Sequence, residues 1–114
     1  MSYEINPTKT FLIEAKKLKK RYRSFENDLE DFKESLQENP YQGTELCPGI
    51  RKIRMTIDSK GRGKSGCARV ITANAIIAEH EGHIALLTIY DKSDVSSVKL
   101  NIIKQMARDL GCDF

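Results

Sequence analysis

Apolar residues recur at helical spacing through the first third of the chain. Phe11, Ala15, Leu18 and Tyr22 are separated by four, three and four positions, and Phe25, Leu29, Phe32 and Leu36 repeat the rhythm. On a helix such positions share one face, so the pattern predicts two amphipathic helices, one starting at Thr8 and one capped by Ser24. Asn39, Pro40 and Gly43 are expected to end the second helix. With so short a connection the pair reads as an antiparallel hairpin whose aromatic and leucine stripes face the core. Ahead of it, Tyr3 to Ile5 predicts a short strand that Asn6 and Pro7 terminate.

The period then falls to two. In IRKIRMTI, Ile53, Met55 and Ile57 alternate with Lys52, Arg54 and Thr56, as a strand with one buried face requires. One face is expected to pack on the helices and the other to present cations. Further strands are predicted at 67–77 and 83–90, joined by the turn EHEG. Val98, Ile102, Met106 and Leu110 predict a closing helix capped by Asp94 or Ser96. The expected order is strand, helix, helix, three antiparallel strands and helix. This is a single α+β domain over residues 1–114, with helices packed on one face of a small sheet.

Composition narrows the setting. The chain has 114 residues, of which 39% are hydrophobic and 31% charged, as in ordinary globular domains. No apolar run approaches the roughly 20 residues of a spanning helix, and MSYEINPTKTF lacks a signal-peptide layout, which predicts a cytoplasmic protein with no membrane role. The cysteines, Cys47, Cys67 and Cys112, are odd in number and show no paired spacing, so reduced thiols are expected rather than disulfides or a zinc site.

Charge is distributed in blocks. Residues 9–23 carry seven cations against Glu14 alone, residues 25–45 carry seven acids against Lys33, and residues 51–69 carry seven cations against Asp58. The first two blocks are explained by mutually attractive helix faces. The third occupies strands and their connecting loop, and points to a polyanion, most commonly nucleic acid.

That loop, DSKGRGKSGCAR from Asp58 to Arg69, contains GRGKSG and superficially suggests a nucleotide-binding loop. Asp58 stands where such a loop needs glycine, and the following CARVITANAII reads as a strand rather than a helix. A basic loop between strands remains, either a plain connection or a grip on a nucleic-acid backbone. His80 and His83 sit beside Glu79 and Glu81 in or near a polar turn, without a convincing further ligand, so no metal is expected. Lys52, Arg54, Lys60, Arg62, Lys64, Arg69, Tyr90 and Lys92 could serve two purposes. Phosphodiester cleavage by a 2′-hydroxyl needs a base, cations for the charged transition state and an acid for the leaving oxygen, all within reach of lysine, arginine and tyrosine. Plain nucleic-acid binding uses the same residue types, so the residues alone leave both readings open.

Three segments add to this reading. GIRKIR at 49–54, KGRGKSGCARVI at 60–71 and LLTIYDKSD at 86–94 resemble, in that order, motifs of the RelE/ParE superfamily of bacterial toxins, and most closely its HigB-type branch. The resemblance implies a RelE-like, microbial-RNase-type fold without a cofactor. It also implies a ribosome-dependent endoribonuclease that cuts mRNA in the ribosomal A site and is neutralised by a cognate, HigA-like DNA-binding antitoxin. Carried over residue by residue, it implies Lys52 as base, Arg54 and Arg69 as phosphate-stabilising groups, and Tyr90 or Lys92 as acid. Lys60, Arg62 and Lys64 would grip RNA phosphates. Two departures stand out: Cys67 replaces a second glycine, and Thr72 and Ala73 replace an aromatic expected to stack on bases. A toxin acting on DNA gyrase and a non-catalytic basic module are the alternatives.

Overall fold

A computed structural model describes residues 2–60, 66–78, 81–91 and 99–109. Its strands are β1 (Glu4–Pro7), β2 (Thr44–Cys47), β3 (Ile50–Thr56), β4 (Cys67–Ala78) and β5 (Glu81–Asp91), and its helices are α1 (Lys9–Arg21), α2 (Phe25–Glu38) and α3 (Leu100–Asp109). They form an α+β fold around one sheet in the order β1-β5-β4-β3-β2. β3, β4 and β5 are antiparallel, as the alternation predicts, and β1 joins β5 in parallel. Pro7 is tolerated in β1 because that strand lies at the sheet edge, where a missing N–H costs no ladder bond.

The helix stripes behave as read. α1 buries Phe11, Ala15 and Leu18, and α2 buries Phe25, Phe32 and Leu36. These side chains meet Ile53, Met55, Ile57, Val70, Ile84, Leu86 and Ile89 in one core. Thr8 starts α1 by accepting the Phe11 N–H at 3.1 Å, while its own hydroxyl donates to the Leu87 carbonyl at 2.9 Å. Leu87 is the extra residue where the β4–β5 register shifts, because Ile71 faces Thr88 and Thr72 faces Leu86. One threonine therefore caps a helix and ties it to a bulge in the neighbouring strand. Ser24 stands at the start of α2 without capping it. Its hydroxyl is occupied elsewhere, donating to Asp28 Oδ2 at 2.6 Å and accepting the Ser59 N–H at 2.9 Å.

Three features differ from the expectation. The first is β2, whose sequence TELC shows no inside–outside alternation to announce it. The second is α3, which packs on the sheet face opposite α1 and α2. Its Ile103 and Ala107 lie with Ile50, Ile71, Ala73, Leu87 and Tyr90, all on the outward face. The one-sided arrangement thus holds for α1 and α2 only. The reason lies in β4, whose run of apolar residues must be covered on both faces. The third is the phase of α3: Ile102 is 46% exposed and Ile103 only 1%. Spacings of four through Ile102 and Met106 pick out a stripe one position away from the buried one, which uses Ala107 for close approach to the sheet. The proposed caps Asp94 and Ser96, and Val98 and Leu110, lie outside the described residues.

This phase can be checked by urea denaturation. Ile103→Ala should lower stability by about 2–5 kcal/mol, the usual cost of truncating a buried isoleucine. Ile102→Ala should stay within about 0.5 kcal/mol of the native chain. Equal losses would show that α3 is turned differently.

Candidate nucleic-acid interface

Inward burial of Ile53, Met55 and Ile57 fixes where the intervening side chains go. Lys52 and Arg54 must point to the opposite face of β3. The register, which the sequence leaves open, pairs Arg54 with Arg69 on β4, and Arg69 with Tyr90 on β5. A row Arg54–Arg69–Tyr90 therefore crosses three strands, with Lys52 one step along β3.

Like charges directly opposite each other weaken a sheet, so this pairing calls for compensation. Among the described residues no ion pair supplies it. Lys17, Lys19, Lys33 and Arg51 each meet a glutamate, whereas Lys52, Arg54 and Arg69 meet none. Arg69 is the costliest of the three, being only 5% exposed. Its Nη1 reaches the carbonyls of Cys67 and Ala68 at 3.4 and 3.5 Å, contacts at the long limit of hydrogen bonding. A buried guanidinium with such weak acceptors is poised to take an anion.

These residues face an open cleft of about 620 Å³, lined by Lys52, Arg54, Arg69 and Tyr90 together with Gln42, Gly43 and Thr44. The last three, which run from the α2–β2 connection into the start of β2, form a wall. Gly43 has φ +74°, and a Cβ there would come within 2.2 Å of the Lys52 carbonyl oxygen, so only glycine lets this wall lie against β3. Arg51 fastens the wall: its Nε donates to the Gln42 carbonyl at 2.7 Å and its Nη2 to the Gly43 carbonyl at 3.1 Å. Gln42 adds a second fastening by donating its side-chain amide to the Ser35 and Asn39 carbonyls at the end of α2.

Tyr90 forms the other end of the row. Burial raises its phenol above the ordinary value of 10.0, and the Arg69 cation partly opposes that rise. The hydroxyl therefore remains protonated through neutral pH. The next residue, Asp91, has a fully buried side chain that accepts the Tyr22 hydroxyl at 2.6 Å and lies 3.5 Å from Arg21 Nη1. It anchors the end of β5 to the end of α1, and so fixes the backbone that carries Tyr90.

The basic loop starts from a firm base. Asp58 N–H donates to Asp28 Oδ2 at 3.1 Å, and Ile57 N–H donates to the Gly66 carbonyl at 2.9 Å. The side chain of Lys60, and all of Arg62, Lys64 and Lys92, lie outside the described residues. Four of the eight residues singled out from sequence, Lys52, Arg54, Arg69 and Tyr90, thus share one cleft. Sequence reading missed Gln42, Gly43, Thr44, Arg51 and Asp91; Gly43 was visible only as a helix terminator and Arg51 only as part of a charge block. Thr72 and Ala73 are both buried and do not line the cleft, so an aromatic at either position would meet the interior. His83 Nδ1 lies 3.1 Å from Glu4 on the neighbouring β1.

The fold with this cleft is RelE-like. It resembles the free-state structure of a mutant of the E. coli toxin RelE, with a TM-score of 0.55 and 17% identity over 84% of this chain and 90% of that one. No protein-family model matches the chain, and no curated protein matches it. No helix among the described residues is long and apolar enough to cross a membrane.

The phenol can be followed by ultraviolet absorbance during alkaline titration. The native chain should show a tyrosinate transition above pH 10 that Tyr90→Phe removes and Arg69→Ala moves still higher. Because the folded value is raised, unfolding releases a proton in this range, and stability should fall as pH rises above 10. A native curve indistinguishable from that of Tyr90→Phe would remove the burial argument.

Proposed function

We propose that this chain is a toxin of the HigB-type branch of the RelE/ParE superfamily, an endoribonuclease that cuts mRNA on the ribosome. The observation that carries this reading is the in-register row Arg54–Arg69–Tyr90, with Lys52 beside it, on a single cleft without acidic partners among the described residues. Such a cleft offers fixed positive charge to the crowded oxygens of a phosphate under attack, where preorganised cations stabilise the transition state most. The likeness of the fold to the E. coli toxin RelE is compatible with the same reading.

In this mechanism Lys52 takes the proton from the 2′-hydroxyl, whose oxygen attacks the adjacent phosphorus. Arg54 and Arg69 hold the non-bridging oxygens as negative charge accumulates. The bond from phosphorus to the 5′-oxygen breaks, and Tyr90 returns a proton to the departing oxygen, leaving a 2′,3′-cyclic phosphate. Because burial keeps the Tyr90 phenol protonated at neutral pH, it holds a proton to give and has no phenolate to abstract one, so Tyr90 is the acid in preference to a base. Lys92 is the alternative donor, and Lys60, Arg62 and Lys64 extend the grip along the RNA backbone. A cognate, HigA-like antitoxin would silence the toxin by covering this cationic face or bracing a surface beside it.

Mapping new 5′ ends on cellular mRNAs after brief induction tests the reading. The native chain should produce cuts in phase with codons. The Arg54→Ala, Arg69→Ala double variant should abolish them, and Tyr90→Phe should slow them by about 10²-fold or more, the usual contribution of a positioned acid. Growth arrest with intact messages and DNA damage would instead identify a gyrase-directed toxin. Salt-sensitive RNA binding without cuts would identify a non-catalytic module.

A further inference from the structure

Beside the cationic cleft, β3 has an open outer edge. β2 pairs with it only from Ile50 to Lys52, so residues 53–56 have no strand neighbour on that side among the described residues. α2 flanks this edge and leaves a second cavity of about 270 Å³. Arg54 and Gln42 line both cavities, so the two adjoin along these side chains. A phosphate held by Arg54 in the cleft would therefore put an attached nucleoside at the mouth of the second cavity.

We propose that this groove is a subsite for one nucleobase adjoining the cleaved bond, and that Asp31 reads the base by accepting a hydrogen bond from its amino group. The proposal rests on the ribonuclease reading. Phe32 contributes an apolar surface to the cavity, and Asp31 and Ser35 stand one turn apart on α2. The acceptors that remain available decide the selectivity. Asp28 is already engaged by Ser24 and by the Asp58 N–H, and so belongs to the scaffold. Asp31 has no hydrogen bond or ion pair among the described residues, although Arg54 lines the same cavity. The Asp58 carboxylate lines the same cavity and adds to its negative charge, and the Gln42 amide nitrogen is committed to the end of α2, which leaves its oxygen as a further acceptor.

An ionised carboxylate only accepts hydrogen bonds. Adenine, cytosine and guanine each carry an amino group that can donate to it. Uracil offers only its N3–H, flanked on both sides by carbonyl oxygens that a carboxylate repels, so the subsite should favour amino-bearing bases over uracil.

Mapping cut sites across many messages for the native chain, Asp31→Ala and Asp31→Asn tests this directly. In native cuts, uridine should be depleted about fivefold or more at one of the two flanking positions, a discrimination on the scale of a single good base contact. Asp31→Ala should return uridine there to its background frequency. Asp31→Asn, whose amide can donate to a carbonyl, should raise uridine at least as far. Both variants should match the native chain in urea denaturation, because Asp31 is exposed. Native cuts without uridine depletion, or variants that retain it, overturn the subsite while leaving the ribonuclease reading intact. Absence of native cuts overturns both. An unchanged base profile in variants that lose affinity for a protein partner would assign the groove to a peptide, and likewise overturns the proposal.

Discussion

Two-residue alternation in β3 couples the core of this protein to its cleft. Ile53, Met55 and Ile57 are buried at 2% exposure or less, and that demand alone turns Lys52 and Arg54 to the other face. A slip of one residue would drive two cations into the hydrocarbon interior and expose three large apolar side chains, a loss of roughly 1.5–3 kcal/mol for each side chain exposed, before any charge is counted. The register that sets Arg54 against Arg69, and Arg69 against Tyr90, is thus held by the core beneath it. Specificity of folding and assembly of the cleft share one cause.

The remaining supports act at the ends of the strands. Thr8 joins the start of α1 to the bulge at Leu87, and Asp91 joins the end of β5 to Tyr22 and Arg21 at the end of α1. One helix therefore brackets the segment of β5 that carries Tyr90. Across the cleft, Arg51 and Gln42 stitch the wall to β2 and α2, while Gly43 lets it lie on the Lys52 backbone. The cationic row consequently sits among fixed neighbours on every side that the structure describes, which is the condition for charge to act without reorganising.

Much of this was legible in the sequence because it depends on local periodicity. The helix stripes and the alternation in β3 follow from spacing, and they locate the core and the outward direction of Lys52 and Arg54. The order of the main elements follows too. What escaped depends on tertiary contact. β2 has no alternation of its own and exists because β3 offers it an edge. α3 lies on the unexpected face because β4 is apolar on both sides, and its phase is set by Ala107, whose small size matters only against a sheet. Ser24 carries a capping signature, yet its hydroxyl is claimed by the Asp28 carboxylate of the same helix and by Ser59, which is remote in sequence. The face occupied by Arg69 could not be read either, since it depends on cross-strand register.

The charge arrangement of the cleft is hard to understand as a stabilising device. Opposed arginines repel, a buried guanidinium is costly without a counter-charge, and elsewhere in the same chain lysines and an arginine are paired with glutamates. A carboxylate opposite Arg54 would relieve the strain, and α2 supplies several nearby, yet none closes on it within ion-pair distance among the described residues. Cations left uncompensated at a mechanically supported position are what an anionic ligand would complete. The extensive apolar core on the other face of β3 is what allows the fold to tolerate them, since its burial outweighs a few unfavourable charge contacts. Stability lost on the outward face and stability gained on the inward one are therefore set by alternate residues of the same strand.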